Sequence, residues 1–129
     1  MNTQFELKEK KNLNDQELCD LIVDSIQDIK GERIVKLDLT NLEEAPTDYF
    51  IICEGSSNVQ VKAIANNIQK RVKVETGTRP FSSEGAAVGK WICIDYLNAV
   101  VHVFYNETRA VYELEALWSD AKSTEYQTL

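Results

Sequence analysis

"KWICIDYLNAVVHVF", residues 90–104, decides how this chain folds. Its apolar residues alternate with others on either side of Leu97-Asn98, the pattern of two strands joined by a tight turn. With Leu97 and Asn98 as the turn, Tyr96 faces Ala99 and every opposed pair lies on one side of the ribbon. One face is then Ile92, Ile94, Tyr96, Ala99, Val101 and Val103, groups that gain by leaving water. The other sets Trp91 opposite Phe104, Cys93 opposite His102 and Asp95 opposite Val100. That second face has two readings. It is a packed layer in which Asp95 and His102 find internal partners, since an unpaired buried polar group costs about 1–3 kcal/mol. Or it is open, and its aromatic rings among polar groups are the material of a protein-binding hot spot. A slip of one residue in register would exchange the two faces.

Working outward, Asn14 and Glu17 form a capping-box pattern that opens a helix. Leu18, Leu21, Ile22, Ile26 and Ile29 give it an apolar stripe, Asp15, Glu17, Asp20, Asp24 and Asp28 an acidic remainder, and Gly31 a stop. "RIVKLDL" (33–39) and "DYFIICE" (48–54) read as strands, the second nearly continuous in apolar residues and therefore central. Gly55 permits a sharp turn, and Ser57 caps a second helix with Val61, Ile64, Ala65, Ile68 and Val72 buried. Lys62, Lys70, Arg71 and Lys73 make that helix the one basic stretch, and Gly77 ends it. "RPFSS" reads as a short strand before the hairpin. Asn106 or Thr108 caps a last helix with Ala110, Val111, Leu114, Leu117 and Trp118 on its apolar side. Five strands and three helices in this order predict one mixed sheet with helices packed on it. Residues 1–13 read as a flexible N-terminus, 14–121 as the single domain, and 122–129 as a polar C-terminal tail outside the fold.

Composition narrows the function. The chain has 129 residues, room for one sizeable core, and a formal net charge of −7. Such a charge argues against a direct nucleic-acid binder, sequence-specific contact included, since phosphates repel it unless basic residues cluster locally, and leaves a basic protein as the natural partner. No apolar run is long enough to cross a bilayer, and the first residues match neither a signal nor a transit peptide, so no membrane association and a cytoplasmic location are expected. Cys19, Cys53 and Cys93 are too few and too widely spaced for a disulfide framework or a zinc site and read as small buried hydrophobes.

Catalysis finds little support. Cys93, His102 and Asp95 make a tempting trio, but both Cys93 and His102 sit mid-strand with no loop or helix N-terminus near enough to form an oxyanion hole. The "EGSS" turn is similar to that of nucleotidyltransferase folds, where a later strand carries two alternating carboxylates for magnesium. Asp38 is followed at the second position by Thr40 and Asp95 by Leu97, so the pair is missing. A nucleotidyltransferase-like enzyme or nucleotide binder using Gly55–Ser57 is the alternative reading; no catalytic residue, metal or cofactor is expected.

Taken together, "TDYFIICEGSS", "VQVKAIA", "EG", "WICIDY" with "VVHVF", and "RAVYELEALW" resemble the ribosomal silencing factor family, the group that includes the plant Iojap protein. The resemblance runs from about residue 15 to about residue 121. It implies an α/β domain with a mixed five-stranded sheet flanked by helices, of nucleotidyltransferase-like topology. It also implies a non-catalytic repressor of translation under nutrient limitation. Such a protein binds the large ribosomal subunit through its fourteenth protein, a basic one, and sterically blocks joining with the small subunit. Family members are often dimers, which raises a second copy of the chain as a further partner. The first candidate contact surface is the hairpin face of Trp91, Asp95, His102 and Phe104. The second is Tyr96 with Arg109, Tyr112, Glu115 and Trp118, where Trp118 and Leu114 have the simpler role of pinning the last helix. Two positions depart from the family pattern. Leu97-Asn98 stands where Gly-Asp is usual, and leucine is strained at the positive φ of a type I′ turn, which favours another turn type. Val59 replaces a common arginine, whose role is not carried over.

Overall fold

The computed structural model describes residues 10–129; residues 1–9, part of the expected flexible N-terminus, lie outside it. The chain folds as α1 (Asp15–Asp28), β1 (Glu32–Asp38), β2 (Tyr49–Gly55), α2 (Asn58–Thr76), β3 (Ser82–Glu84), β4 (Trp91–Asp95), β5 (Ala99–Tyr105), α3 (Asn106–Tyr112), α4 (Leu114–Leu117) and β6 (Lys122–Tyr126). The sheet order is β3-β4-β5-β2-β1-β6. β2 and β5 are parallel, and the other neighbours are antiparallel.

The hairpin has the register that alternation demands, with Trp91 opposite Phe104, Cys93 opposite His102 and Asp95 opposite Val100. Its turn is not type I′. Leu97 alone is left-handed, at φ 74, and the Asn98 N–H donates to the Tyr96 carbonyl at 3.0 Å. The Asp95 carboxylate accepts from the Leu97 N–H at 2.7 Å, which offsets part of the strain that leucine incurs there.

Strand alternation sorts the core into two layers. Ile92, Ile94, Tyr96, Val101 and Val103 join Ile51 and Cys53 beneath α1 and α2. Phe104, Phe50 and Ile52 point the other way, into a smaller cluster with Leu37, Leu39 and Leu114. β2 is buried from Phe50 to Gly55, as its continuous apolar run requires. Each fully buried isoleucine or valine contributes about 1.5–3 kcal/mol, so the layer under the helices carries most of the stability.

The helices start where their caps lie. Asn14 and Glu17 exchange hydrogen bonds at 2.8 and 3.0 Å, and Ser57 Oγ accepts from the Gln60 N–H at 3.1 Å. At the end of α1 it is Lys30, at φ 61, that turns left-handed. Gly31 serves a different need: a Cβ there would stand 2.2 Å from Ile26 Cγ2, so only glycine lets β1 start so close to α1.

Three expectations are corrected. The sheet has six strands, not five, because residues 122–126 of the expected tail pair with β1 from Asp38–Lys122 to Ile34–Tyr126. The tail is polar because β6 is an edge strand exposed along nearly its whole length, which removes the apolar signal on which strand recognition rests. The last helix is broken: Glu113 takes φ 45, its N–H still bonded to the Arg109 carbonyl, and α4 sets off in a new direction. The break lets Leu114 enter the second layer and Trp118 pack against it. Neither Asn106 nor Thr108 caps α3; the cap position is Tyr105, with no side-chain hydrogen bond.

Deleting residues 122–129 is expected to lower stability by about 2 kcal/mol, several ladder hydrogen bonds at ~0.5–1.5 kcal/mol each less the chain entropy released. Urea denaturation measures the loss, and amide exchange should quicken in β1. A tail outside the fold would leave both unchanged.

Candidate partner-binding face

The second face of the hairpin is neither wholly buried nor wholly open. Phe104 is fully buried and His102 nearly so, at 0 % and 6 % exposure, whereas Trp91 is half-buried at the rim. The Trp91 indole N–H donates to His102 Nδ1 at 3.1 Å. Its ring stacks on Phe104 at 4.9 Å between centroids and meets Tyr112 of α3 at 4.7 Å. Phe50 closes the far side of His102, edge-on at 4.7 Å. Trp91 is thus fixed in angle by an acceptor and a ring beneath it, while Tyr112 extends the aromatic surface outward with 53 % of its area exposed.

Beside this pair runs a groove of about 540 Å³, walled by Gly85, Val88 and Lys90 on one side and Tyr105, Val111 and Tyr112 on the other. Val88 and Val111 are both well exposed, so the groove is apolar at its mouth. Gly85 has φ 94, and a Cβ there would stand 2.0 Å from the Trp91 carbonyl oxygen, so the connection hugs β4 only as glycine. Glu107 lines the groove, and Glu84 and Asp95 share its side of the sheet by strand alternation.

Arg109 sits elsewhere than on a contact surface. It is 3 % exposed, and its Nη1 donates to the Arg33 carbonyl at 2.6 Å and to Glu54 Oε1 at 3.3 Å. Nε and Nη2 both donate to Glu115 Oε2, at 3.3 and 2.8 Å. The β-bulge in β1, with Arg33 at φ 49, interrupts the ladder where that carbonyl is offered. Burial pushes the Glu115 carboxyl up, but the hydrogen bonds and charge of Arg109 outweigh it and hold it below the usual range. The network ties α3 to β1 and β2, which sets Tyr112 beside Trp91.

The structure therefore brings together Trp91, His102, Phe104 and Tyr112, and separately Arg109 and Glu115. As surface, only Trp91 and Tyr112 of the aromatic group qualify; His102 and Phe104 support them from inside. Asp95 shapes the hairpin turn, and Tyr96 is buried on the opposite, helix-covered face. Sequence reasoning put Val111 on the apolar side of the last helix, whereas it stands exposed at the groove, and it missed Val88, an exposed apolar residue outside any periodic pattern, and Glu54. The signal for Glu54 was available: an acid ending an otherwise apolar central strand requires a buried cation.

The trio considered for catalysis is occupied structurally. Burial raises the Cys93 thiol above its ordinary range, with Asp95 and Glu84 adding to the effect, and His102 Nδ1 is taken by Trp91. Gln60 fills the Gly55–Ser57 turn, accepting from the Ser56 N–H at 2.7 Å and donating to the Ile29 and Lys30 carbonyls. Among the described residues no three acids, cysteines or histidines converge as metal ligands would, and no helix is long and apolar enough to cross a membrane.

Residues 12–129 match the family model described as "Ribosomal silencing factor during starvation". The chain is 39% identical over 115 residues to the ribosomal silencing factor RsfS of Halalkalibacterium halodurans, covering 89% of this chain and 97% of that one. A crystal structure from Chromobacterium violaceum superposes with a TM-score of 0.78 at 38% identity, covering 83% and 88% of the two chains. A shorter match, 36% identical over 75 residues, covers 57% of this chain and 33% of the mouse protein named Mitochondrial assembly of ribosomal large subunit protein 1. Fold and matches define a class of small α/β proteins named for their work on the ribosome. The chain belongs to the ribosomal silencing factor family.

Two predictions test the site's construction. Burial holds His102 down at about 4, against an ordinary 6.5, so the unfolded chain takes up a proton first as pH falls. Stability from this group is complete above pH 6.5 and declines by roughly 3 kcal/mol as pH falls toward 4. The urea midpoint should track this decline, and the portion due to His102 should vanish in His102→Leu. Arg109→Ala leaves the buried Glu54 carboxylate with only the exposed Arg33 guanidinium, 3.5 Å away, and should cost about 3 kcal/mol, read by chemical denaturation.

Proposed function

We propose that the chain binds the large ribosomal subunit by seating a basic protein of that subunit in the Trp91–Tyr112 groove, and that its bulk there excludes the small subunit. The observation that carries this reading is the rigidly held, partly exposed tryptophan. A ring already oriented by His102 and Phe104 loses little freedom on binding, so more of its contact area becomes affinity. Glu107, Glu84 and Asp95 supply the carboxylates that attract a basic partner and speed encounter. Exclusion requires affinity and size and no catalytic group, in keeping with relatives named as silencing factors. The fourteenth large-subunit protein, which the family resemblance implies, is the partner to test first.

Co-sedimentation with separated subunits, alone and mixed, is the direct test. The chain should pellet with the large subunit and reduce the yield of joined ribosomes. Trp91→Ala should weaken the association by about 2 kcal/mol or more, and Tyr112→Ala, exposed and cheaper to remove, should weaken it with little loss of stability. Unchanged binding by both variants, with folding checked by circular dichroism, would move the contact away from this groove.

A further inference from the structure

The cations of α2 divide into two sets, and only one of them is neutralised. One side of the helix faces α1: Asn67 donates to the Ser25 carbonyl and to Asp28, and Arg71 pairs with Asp24 at 2.7 Å, Asp28 at 2.9 Å and Glu75 at 3.3 Å. Asp24 and Asp28, the acids in the C-terminal half of α1, are answered there. Lys62, Asn66, Gln69 and Lys73, spaced four, three and four residues apart, form a different stripe turned toward the β3–β4 edge. Gln69 Nε2 donates to Ser83 Oγ at 3.1 Å, and Gly89 lies so close to Lys62 that a Cβ would stand 2.8 Å from its Cε.

This stripe has no carboxylate neighbour on the strand it faces. Glu84 pairs opposite Cys93 and therefore points to the other side of the sheet, away from Ser83, which pairs opposite Ile94. Lys62, Lys73, Arg79 and Lys90 have no ion-pair partner among the described residues, and Lys70 flanks the stripe as a further exposed cation. Between α2 and the segment that follows it, Gln69, Lys73, Arg79 and Pro80 line a groove of about 290 Å³. Immediately after Pro80, Phe81 is 74 % exposed, a large ring in water with no part in either core cluster.

We propose that this stripe and groove bind a single-stranded RNA segment, its backbone along Lys62, Lys73 and Arg79 and one base stacked on Phe81. From Lys62 to Lys73 the helix rises about 16 Å, a linear run of charge that suits a polyanion better than a small anion. An exposed aromatic at the end of a cationic groove separates RNA from an acidic peptide, because every base offers a face to stack on it. Contact through backbone and stacking reads no sequence, so it is compatible with a chain whose net charge of −7 disfavours nucleic acid elsewhere on its surface. Lys90 lies in both neighbourhoods, at the wall of the Trp91 groove and next to Gly89, so RNA and a protein partner could be held side by side.

The test is fluorescence anisotropy of the full chain with a labelled twelve-nucleotide RNA of mixed sequence, from about 50 to 200 mM salt. Binding should weaken with a log–log salt slope of roughly −2, as three phosphate contacts on a single strand give. The triple variant Lys62→Gln, Lys73→Gln, Arg79→Gln should abolish it, and the charge-preserving double variant Lys62→Arg, Lys73→Arg should retain it. Phe81→Ala should weaken binding about tenfold. No binding by the wild-type chain at 50 mM salt, or equal binding by the glutamine variant, overturns the proposal, as does equal competition by poly-glutamate, which would assign the stripe to an acidic protein. Naked RNA makes these outcomes independent of subunit sedimentation, so failure here and failure of the large-subunit reading are distinguishable.

Discussion

β2 pairs in parallel with β5 along its full length, from Tyr49–Ala99 to Gly55–Tyr105, and that ladder places two strands at the centre of the sheet with both faces covered. A parallel pair needs a long crossover, and α2 with the β3–β4 connection supplies it. Because side chains alternate, the same ladder sends Ile51, Cys53, Val101 and Val103 under the helices and Phe50, Ile52, His102 and Phe104 to the opposite side. The second layer exists only because β2 and β5 turn large groups toward it. Trp91, Tyr112 and Trp118 are then recruited by those groups, and the exposed groove is the edge of that layer.

Charge is segregated across the same frame. Arg71 answers Asp24 and Asp28 of α1, and the Arg109 network answers Glu54 near the end of β2. Around the β3–β4 edge, strand parity puts Glu84 and Asp95 on the aromatic side, while α2 carries Lys62 and Lys73 on the other. A net-charge figure averages these surfaces and hides both. One face suits a basic partner, and the other a polyanion.

Much of this was legible in the residues. Period-two alternation gave the hairpin register and both of its faces, since an apolar set of six has only one side on which to be buried. Capping chemistry placed the starts of α1 and α2, because Asn14 and Ser57 satisfy local donors whatever the rest of the chain does. The pairing of Arg109 with Glu54 was not legible: the two residues are 55 apart, and no local pattern connects them. β6 escaped notice for the opposite reason, since an edge strand exposed along nearly its whole length owes its conformation mainly to backbone pairing with β1 rather than to its own side chains.

Sequence by itself determined what depends on neighbours along the chain: α1 and α2, the central strands, the turn at Leu97, and the alternation that makes Trp91, His102 and Phe104 share a face. Tertiary structure decided which of those three meets solvent. Phe104 and His102 are covered by Phe50 and by the turn of chain after Glu113, while Trp91, the first residue of its strand, lies beyond the cover. Alternation fixes the side of a sheet to which a residue points, but exposure depends on how far the overlying layer reaches, and that length is set by contacts between residues distant in sequence.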